Sequence, residues 1–171
     1  MRRPSFLVAI GALLLSLSSV HIAKADWLSG GGLGRCGEPC VVSLNFGGPI
    51  RPFLKAAKDI KAGARRQVVI TWVCASSCSL FADKVRPRVC IMPSTVFVFH
   101  RSYQDIVQEG KSVRVWDTGD PPYSQDIISW VHAHGGFPKT DHYDDMTKMK
   151  VEEARRFFPL CTKKHLHPSR M

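Results

Sequence analysis

Three short motifs of the chain could together form a site for acyl transfer. Gly47 and Gly48 follow a short β-branched segment, and Ser76 follows a second one. His100 ends a third such segment. A serine on a sharp strand-to-helix turn has its hydroxyl exposed at the carboxyl end of the strand. A histidine there can take the proton of the serine, and a carboxylate can orient the imidazole ring. The spacing therefore predicts Ser76 as a nucleophile and His100 as its general base.

An acyl-transfer site also needs donors for the developing oxyanion. The main-chain N–H of Ser77 comes directly after the candidate nucleophile, and the N–H of Gly48 is free of side-chain obstruction. We take these two groups as the candidate oxyanion donors. The alternatives are that Ser76 merely caps the following helix, a role that serine fills well, and that His100 is a strand-end histidine facing solvent.

Strands that alternate with helices should position these residues. Such an alternation predicts an α/β fold with a mainly parallel sheet. The segment 101–122 is polar and rich in turn residues, and we expect a loop or a mobile segment there. The predicted strands are 40–45, 67–73, 88–92 and 95–99, and the predicted helices are 52–62, 74–85, 124–134 and 150–158.

The amino-terminal segment has the pattern of a cleavable secretory signal peptide. Two arginines precede an apolar run at 6–17, and Ala23-Lys24-Ala25 forms a small-x-small cleavage signal. The apolar run is shorter than the ~20 residues that span a bilayer, and no second long apolar run follows. We therefore expect a signal peptide at 1–25, a glycine-rich lead-in at 26–39 and a single domain at 40–171. The expected location is periplasmic or secreted, with no transmembrane segment after cleavage.

Six cysteines lie beyond the predicted signal peptide. An even number of cysteines in an exported chain indicates disulfide bonds, but the sequence does not choose among the fifteen possible connectivities. A zinc site built on the two C-x3-C pairs is the competing interpretation, although neither pair has the C-x2-C spacing of common zinc ribbons. The disulfide candidates are Cys36, Cys40, Cys74, Cys78, Cys90 and Cys161.

The chain has a positive net charge but no sequence motif for binding nucleic acid. The 171 residues include 24 Lys and Arg against 14 Asp and Glu. Because the basic residues are spread along the chain, we interpret them as a solvated surface and expect no nucleic-acid partner. His132 and His134 stand two apart on a predicted helix and so point in different directions, and we expect neither a metal ion nor a cofactor. The predicted partners are a peptide or a component of the cell envelope.

The motifs resemble those of a known family. Residues 44–48 (Leu-Asn-Phe-Gly-Gly), residues 75–78 (Ala-Ser-Ser-Cys) and a proline seven residues before His100 are similar to the Clp protease proteolytic subunit within the ClpP/crotonase superfamily. They are still more similar to exported ClpP-like proteins of bacteria. The resemblance covers roughly residues 40–101 well and Glu152-Glu153-Ala154 more loosely.

The resemblance implies a spiral of strand–strand–helix units and assigns roles to the same residues. It places Ser76 as nucleophile, His100 as base, and Gly48 and Ser77 as oxyanion donors. The third member of the triad should precede the last helix, where Asp145 is the preferred choice among Asp141, Asp144 and Asp145.

The chain also departs from the pattern of the proteases. Trp72 stands where they have a glycine, and the ring-building handle region is not evident. The predicted function is an exported ClpP-like serine hydrolase or peptidase that needs no cofactor. The alternative is a non-catalytic ClpP-like domain that binds a peptide, an envelope component or a protein partner.

Overall fold

The computed structural model describes residues 37–63 and 67–166. The predicted signal peptide, most of the glycine-rich lead-in and Cys36 lie outside the described residues. The helices are α1 (Ile50–Ala62), α2 (Ser77–Lys84), α3 (Gln125–Ala133), α4 (Val151–Ala154) and α5 (Lys163–Leu166). The strands are β1 (Cys40–Asn45), β2 (Val68–Ala75), β3 (Val89–Ile91), β4 (Val96–Phe99), β5 (Tyr103–Gln108), β6 (Lys111–Trp116) and β7 (Thr147–Lys150).

Five of the strands form one mixed sheet in the order β1-β2-β4-β7. The first part of β2 pairs with β3 and its last part with β4, and both pairings are parallel. The pairing of β1 with β2 is also parallel, whereas β4 and β7 are antiparallel. The prediction of an α/β fold is confirmed at this level. The sheet is mixed, however, and the structure does not confirm a mainly parallel arrangement.

Helices α1, α2 and α3 contribute to the main core on one face of the sheet. Their amphipathic spacing buries Phe53 and Ile60 of α1, Phe81 of α2, and Ile127 and Val131 of α3. Burial of a Phe or Ile side chain contributes about 1.5–3 kcal/mol relative to its exposure, so this layer is a main source of stability. Within the described residues, no helix is long and apolar enough to cross a membrane.

The opposite face of the sheet carries a smaller apolar cluster. Val73, Ala75 and Val98 are buried there. The half-buried Tyr143 and Met146 pack against them. The segment that leads into β7 therefore covers this face beside the carboxyl ends of β2 and β4.

Two disulfide bonds link the described part of the chain. Cys74 is bonded to Cys78, and Cys90 is bonded to Cys161. The prediction of disulfides is confirmed for these four residues. A zinc site on the two C-x3-C pairs would need Cys74 and Cys78 as thiolates, whereas these two residues are bonded to each other.

The expected loop at 101–122 is wrong, because most of it is a β-hairpin. β5 and β6 pair antiparallel from Tyr103 opposite Trp116 to Gln108 opposite Lys111. Glu109 and Gly110 both have positive φ, at 52° and 76°, as a two-residue type I′ turn requires. Glutamate is not among the residues typical of the first central position of such a turn, so the sequence carries only a weak signal for it.

The predicted helix at 150–158 is mostly replaced by other structure. Thr147–Lys150 is the antiparallel strand β7, and helix α4 covers only Val151–Ala154 before the chain continues in turns. The sequence of β7, Thr-Lys-Met-Lys, has one β-branched residue, so the strand depends on pairing with β4 rather than on local preference.

We expect the two disulfides to contribute unequally to stability. Cys90–Cys161 closes a sequence separation of 71 residues, whereas Cys74–Cys78 closes a separation of 4. Loop-closure entropy gives about 4 kcal/mol for the long loop and about 2 kcal/mol for the short one. Urea unfolding of the oxidised Cys90→Ala/Cys161→Ala variant should show the larger loss in the free energy of unfolding. The Cys74→Ala/Cys78→Ala variant is its control, and an equal or larger loss there would contradict the expectation.

Candidate functional site

The carboxyl ends of three neighbouring parallel strands bring the predicted motifs to one edge of the sheet. Asn45, the last residue of β1, lies opposite Cys74 of β2, and Ala75 lies opposite Val98 of β4. The Ser76 N–H donates to the Val98 carbonyl oxygen at 2.8 Å. The residues that follow β1, β2 and β4 are therefore neighbours, and such edges are where α/β sheets bind ligands.

Ser76 forms a strained turn between β2 and α2. Its φ of 55° and ψ of −123° lie in a region that non-glycine residues seldom adopt. The residue precedes α2, but its side chain makes no capping hydrogen bond. The conformation also differs from the β-region backbone of an ordinary N-cap. Capping therefore does not account for this serine, whose hydroxyl is left available at the cleft.

One distant side chain and two local contacts hold this turn in place. The hydroxyl of buried Tyr123 donates to the Ser76 carbonyl oxygen at 3.0 Å. Ser79 Oγ donates to the Cys74 carbonyl oxygen at 2.6 Å, and the Cys74–Cys78 disulfide spans the turn itself. Backbone strain of about 1–3 kcal/mol persists only where surrounding contacts hold the strained conformation in place. The two hydrogen bonds and the disulfide hold the Ser76 turn in this way.

Asp83 anchors the segment that carries Tyr123. Its carboxylate, 2 % exposed, accepts from the Ser124 N–H at 2.8 Å and from Ser124 Oγ at 2.6 Å. Arg86 pairs with Asp83 and with Asp126 of α3. The pairing with Arg86 is the main cause that holds the pKa of the Asp126 carboxyl well below its usual range. This charged cluster joins α2 to the start of α3 and so holds Tyr123 beside the serine turn.

The two glycines after β1 approach the serine turn closely. A Cβ at Gly47 would lie 2.7 Å from the Ala75 carbonyl oxygen and 2.7 Å from Ser76 Cβ. Ser77 Oγ donates to the Gly48 carbonyl oxygen at 2.6 Å. The main chain of Gly48 is thus held beside the first turn of α2, whose leading N–H groups have no partner within the helix. The two residues whose N–H groups are the predicted oxyanion donors are therefore neighbours.

A cleft of about 660 Å³ contains the predicted motifs. Gly48, Ser76, Ser77 and His100 all line it, so the structure brings these four predicted site residues together. The remaining wall is aromatic, apolar and acidic, and it includes Phe46, Tyr103, Asp105, Asp141, Tyr143 and Met146.

His100 follows β4 directly and is half-buried in this cleft. Burial is the largest influence on the ring and lowers the pKa of His100 below its ordinary 6.5. The Arg101 main chain and the Asp141 carboxylate raise that pKa by smaller amounts, and Arg114 lowers it. Nδ1 of His100 is buried without a hydrogen-bond partner. The lowered pKa favours the uncharged form of the ring, which is the form that a general base requires.

Among the three candidate aspartates, the one that lines the cleft is Asp141 and not the preferred Asp145. Asp145 lies on the 3-10 turn Tyr143–Asp145 and is exposed, as is Asp144. Asp141, one of the three alternatives, lines the cleft. Asp141 pairs with Arg114 of β6, and this hydrogen bond lowers the pKa of the Asp141 carboxyl.

The β5–β6 hairpin contributes site residues that the sequence analysis did not find. The rings of Tyr103 and Trp116 lie 6.2 Å and 6.4 Å from the imidazole of His100. Tyr103 and Asp105 line the cleft, and Arg114 joins Asp105 to Asp141. The signal that could have indicated a strand here is the alternation of Val113 and Val115 in β6.

The other histidines of the described region have local partners. His132 Nε2 lies 2.7 Å from an oxygen of Asp120, and His134 Nε2 lies 3.2 Å from an oxygen of Glu153. Across residues 37–63 and 67–166, no group of three or more His, Cys, Asp or Glu is arranged to hold a metal ion.

No protein-family model matches the chain, and no curated protein matches it. The resemblance to the ClpP/crotonase superfamily therefore remains an expectation that depends on the motif residues.

The close approach of Gly47 predicts a specific cost for a side chain there. Gly47→Ala would place a Cβ against main-chain and side-chain atoms of the serine turn at a φ of 85°. Positive φ costs an alanine about 1–2 kcal/mol, and the overpacking should add about 1–3 kcal/mol. Chemical denaturation should therefore show a large loss in the free energy of unfolding.

Gly110→Ala is the matched control for Gly47→Ala. Its φ is 76°, and a Cβ there would meet nothing within 4 Å. It should show the conformational cost alone. If both variants lose the same free energy of unfolding, the close contact between Gly47 and the serine turn is contradicted.

Proposed function

We propose that this protein is a serine hydrolase that acts on acyl compounds, peptides among them, through an acyl-enzyme on Ser76. The observation that carries the proposal is the turn at Ser76. A strained, uncapped serine lies in a cleft shared with a half-buried histidine whose pKa is lowered. A purely structural serine needs neither the strain nor the neighbouring base.

The residues around Ser76 can divide the chemistry between them. Ser76 Oγ attacks the carbonyl carbon of the substrate and passes its proton to His100. The oxyanion that forms accepts hydrogen bonds from the N–H groups of Gly48 and Ser77. His100 then gives the proton to the leaving group as the acyl bond breaks. In the second half a water attacks the acyl-enzyme, with His100 again as base, and Ser76 is released.

Asp141 is the carboxylate that we assign to His100 in this proposal. It lines the same cleft, and its charge raises the pKa of the imidazole. The three aspartates that the resemblance suggested are all exposed, but Asp141 lines the cleft whereas Asp144 and Asp145 do not. Asp141 therefore takes the orienting role that was first given to Asp145.

The family and the location belong to the same proposal. Gly48, Ser76 and His100 follow the neighbouring strands β1, β2 and β4 in the order of the ClpP/crotonase pattern. The two disulfides are compatible with an exported protein. The antiparallel strand β7 and the β5–β6 hairpin distinguish this chain from a simple spiral of parallel units. A non-catalytic domain that binds a peptide in the same cleft is the competing function.

A fluorophosphonate probe tests the nucleophile directly. We expect covalent labelling of the folded, oxidised protein at Ser76, identified by mass spectrometry of the modified peptide. Labelling should be lost in Ser76→Ala. It should fall by about 100-fold or more in His100→Ala, because the serine then lacks its general base.

Ser129→Ala is the control for this experiment. Ser129 is exposed on α3, and its hydroxyl donates to the Gln125 carbonyl oxygen at 2.8 Å within the helix. Its labelling should match that of the unmodified protein. An absence of labelling in folded, oxidised protein would favour the binding function, and equal labelling in Ser76→Ala would exclude Ser76 as the nucleophile.

The pH dependence of labelling should report the lowered pKa of His100. Only the neutral imidazole can accept the proton of Ser76, and burial lowers the pKa of His100 below 6.5. The labelling rate should therefore stay high at pH 6.5 and fall only as the pH drops through this lowered pKa. Circular dichroism over the same range controls for acid unfolding. A half-maximal rate above pH 6.5 would contradict this assignment of the base.

A further inference from the structure

Arg114 of the β5–β6 hairpin contacts three side chains of the site region, those of Tyr103, Asp105 and Asp141. Strand register places Tyr103 opposite Trp116 and Asp105 opposite Arg114, so these four side chains share one face. The Arg114 guanidinium lies 3.9 Å from the centroid of the Tyr103 ring, and its Nε donates to Asp105 Oδ1 at 3.0 Å. Its remaining hydrogen bond goes to Asp141, outside the hairpin. Arg114 thus joins the hairpin to the segment before β7.

The Asp141 carboxylate is bound by Arg114 and not by His100. Asp141 Oδ2 accepts from Arg114 Nη1, while Nδ1 of His100 is buried with no partner. The imidazole lies beside the contacting rings of Tyr103 and Trp116 of the same hairpin. The charge of Asp141 acts on His100 through space, and that of Arg114 opposes it.

The two competing contacts of Asp141 differ in environment. The side chains of Arg114 and Asp141 are 33 % and 51 % exposed. An ion pair between such exposed groups is weak and is screened by salt. A hydrogen bond to the buried Nδ1 would instead form in surroundings of lower polarity, where hydrogen bonds are stronger. The ion pair with Arg114 is therefore only a weak restraint on Asp141.

We propose that Arg114 is a positioning residue that holds the site at rest by engaging Asp141, and that the working site forms when Asp141 moves to Nδ1 of His100. This inference rests on the proposed function, since it concerns the same histidine. Arg114 does not touch the reacting atoms. Arg114 sets the fraction of molecules in which Asp141 orients His100. The hairpin thereby influences the cleft that it lines.

The test combines Arg114→Met with Asp141→Asn and the double variant. Methionine keeps a long apolar side chain against Tyr103 but removes the charge and every donor. In Arg114→Met, Asp141 is free to bind His100, and we expect fluorophosphonate labelling of Ser76 to become about two- to fivefold faster, the range that corresponds to the loss of an exposed ion pair. Asp141→Asn in the same background should abolish this gain.

NMR of the His100 imidazole gives a measurement that needs no activity. The Nδ1 proton resonance should move downfield in Arg114→Met, and Asp141→Asn should reverse that shift. In the background with Arg114 intact, Asp141→Asn should change the resonance much less. This dependence of one substitution on the other is not expected if Arg114 merely stabilises the hairpin.

Lys111→Met is the matched control. Lys111 begins the same strand, is exposed and carries the same charge, but it pairs with Gln108 at the far end of the hairpin. It should leave the labelling rate and the His100 resonance unchanged. Thermal unfolding by circular dichroism checks that each variant is folded.

The outcomes separate the two proposals. If Arg114→Met slows labelling as Asp141→Asn does, or if Asp141→Asn shifts the His100 resonance equally in both backgrounds, then Arg114 does not compete for Asp141 and the inference is overturned. If no variant is labelled while the resonance shows the expected dependence, Asp141 exchanges as inferred and it is the hydrolase function that fails.

Discussion

Ser76 occupies a backbone conformation that the chain would not adopt locally, and much of the structure around it serves to impose that conformation. The turn must reverse direction between β2 and α2 while leaving a side chain at the sheet edge. Tyr123 reaches it from the start of α3, 47 residues away in the chain. The Asp83 and Arg86 cluster in turn fixes that start. The position of one hydroxyl thus depends on the packing of two helices.

The glycines after β1 follow from the same constraint. Because Gly47 has no Cβ to clash with the serine turn, the loop after β1 can lie against the first turn of α2. The hydrogen bond from Ser77 Oγ to the Gly48 carbonyl then fixes the distance between the two segments. The loop around Gly48 and the first turn of α2 are thus held together without a ligand, as an oxyanion site would require.

The sequence was sufficient to locate the motif residues but not the elements that surround them. Gly48, Ser76, Ser77 and His100 could be found because each follows an apolar, β-branched segment, and the carboxyl ends of neighbouring parallel strands meet at one edge of a sheet. The hairpin was missed because its turn uses Glu109 and because polar residues fall on both faces of β5, so hydrophobic alternation is weak there. Which of the three nearby aspartates borders the cleft could not be read from the sequence, because it depends on the path of the chain between α3 and β7.

The disulfide between Cys74 and Cys78 has a consequence for the serine turn. Its five-residue ring has Ser76 at its centre, so the shape of the serine turn is coupled to the oxidation state of its surroundings. In a chain with reduced thiols, hydrogen bonds alone would maintain the strained turn. The turn is therefore held more firmly where disulfide bonds form than where thiols stay reduced.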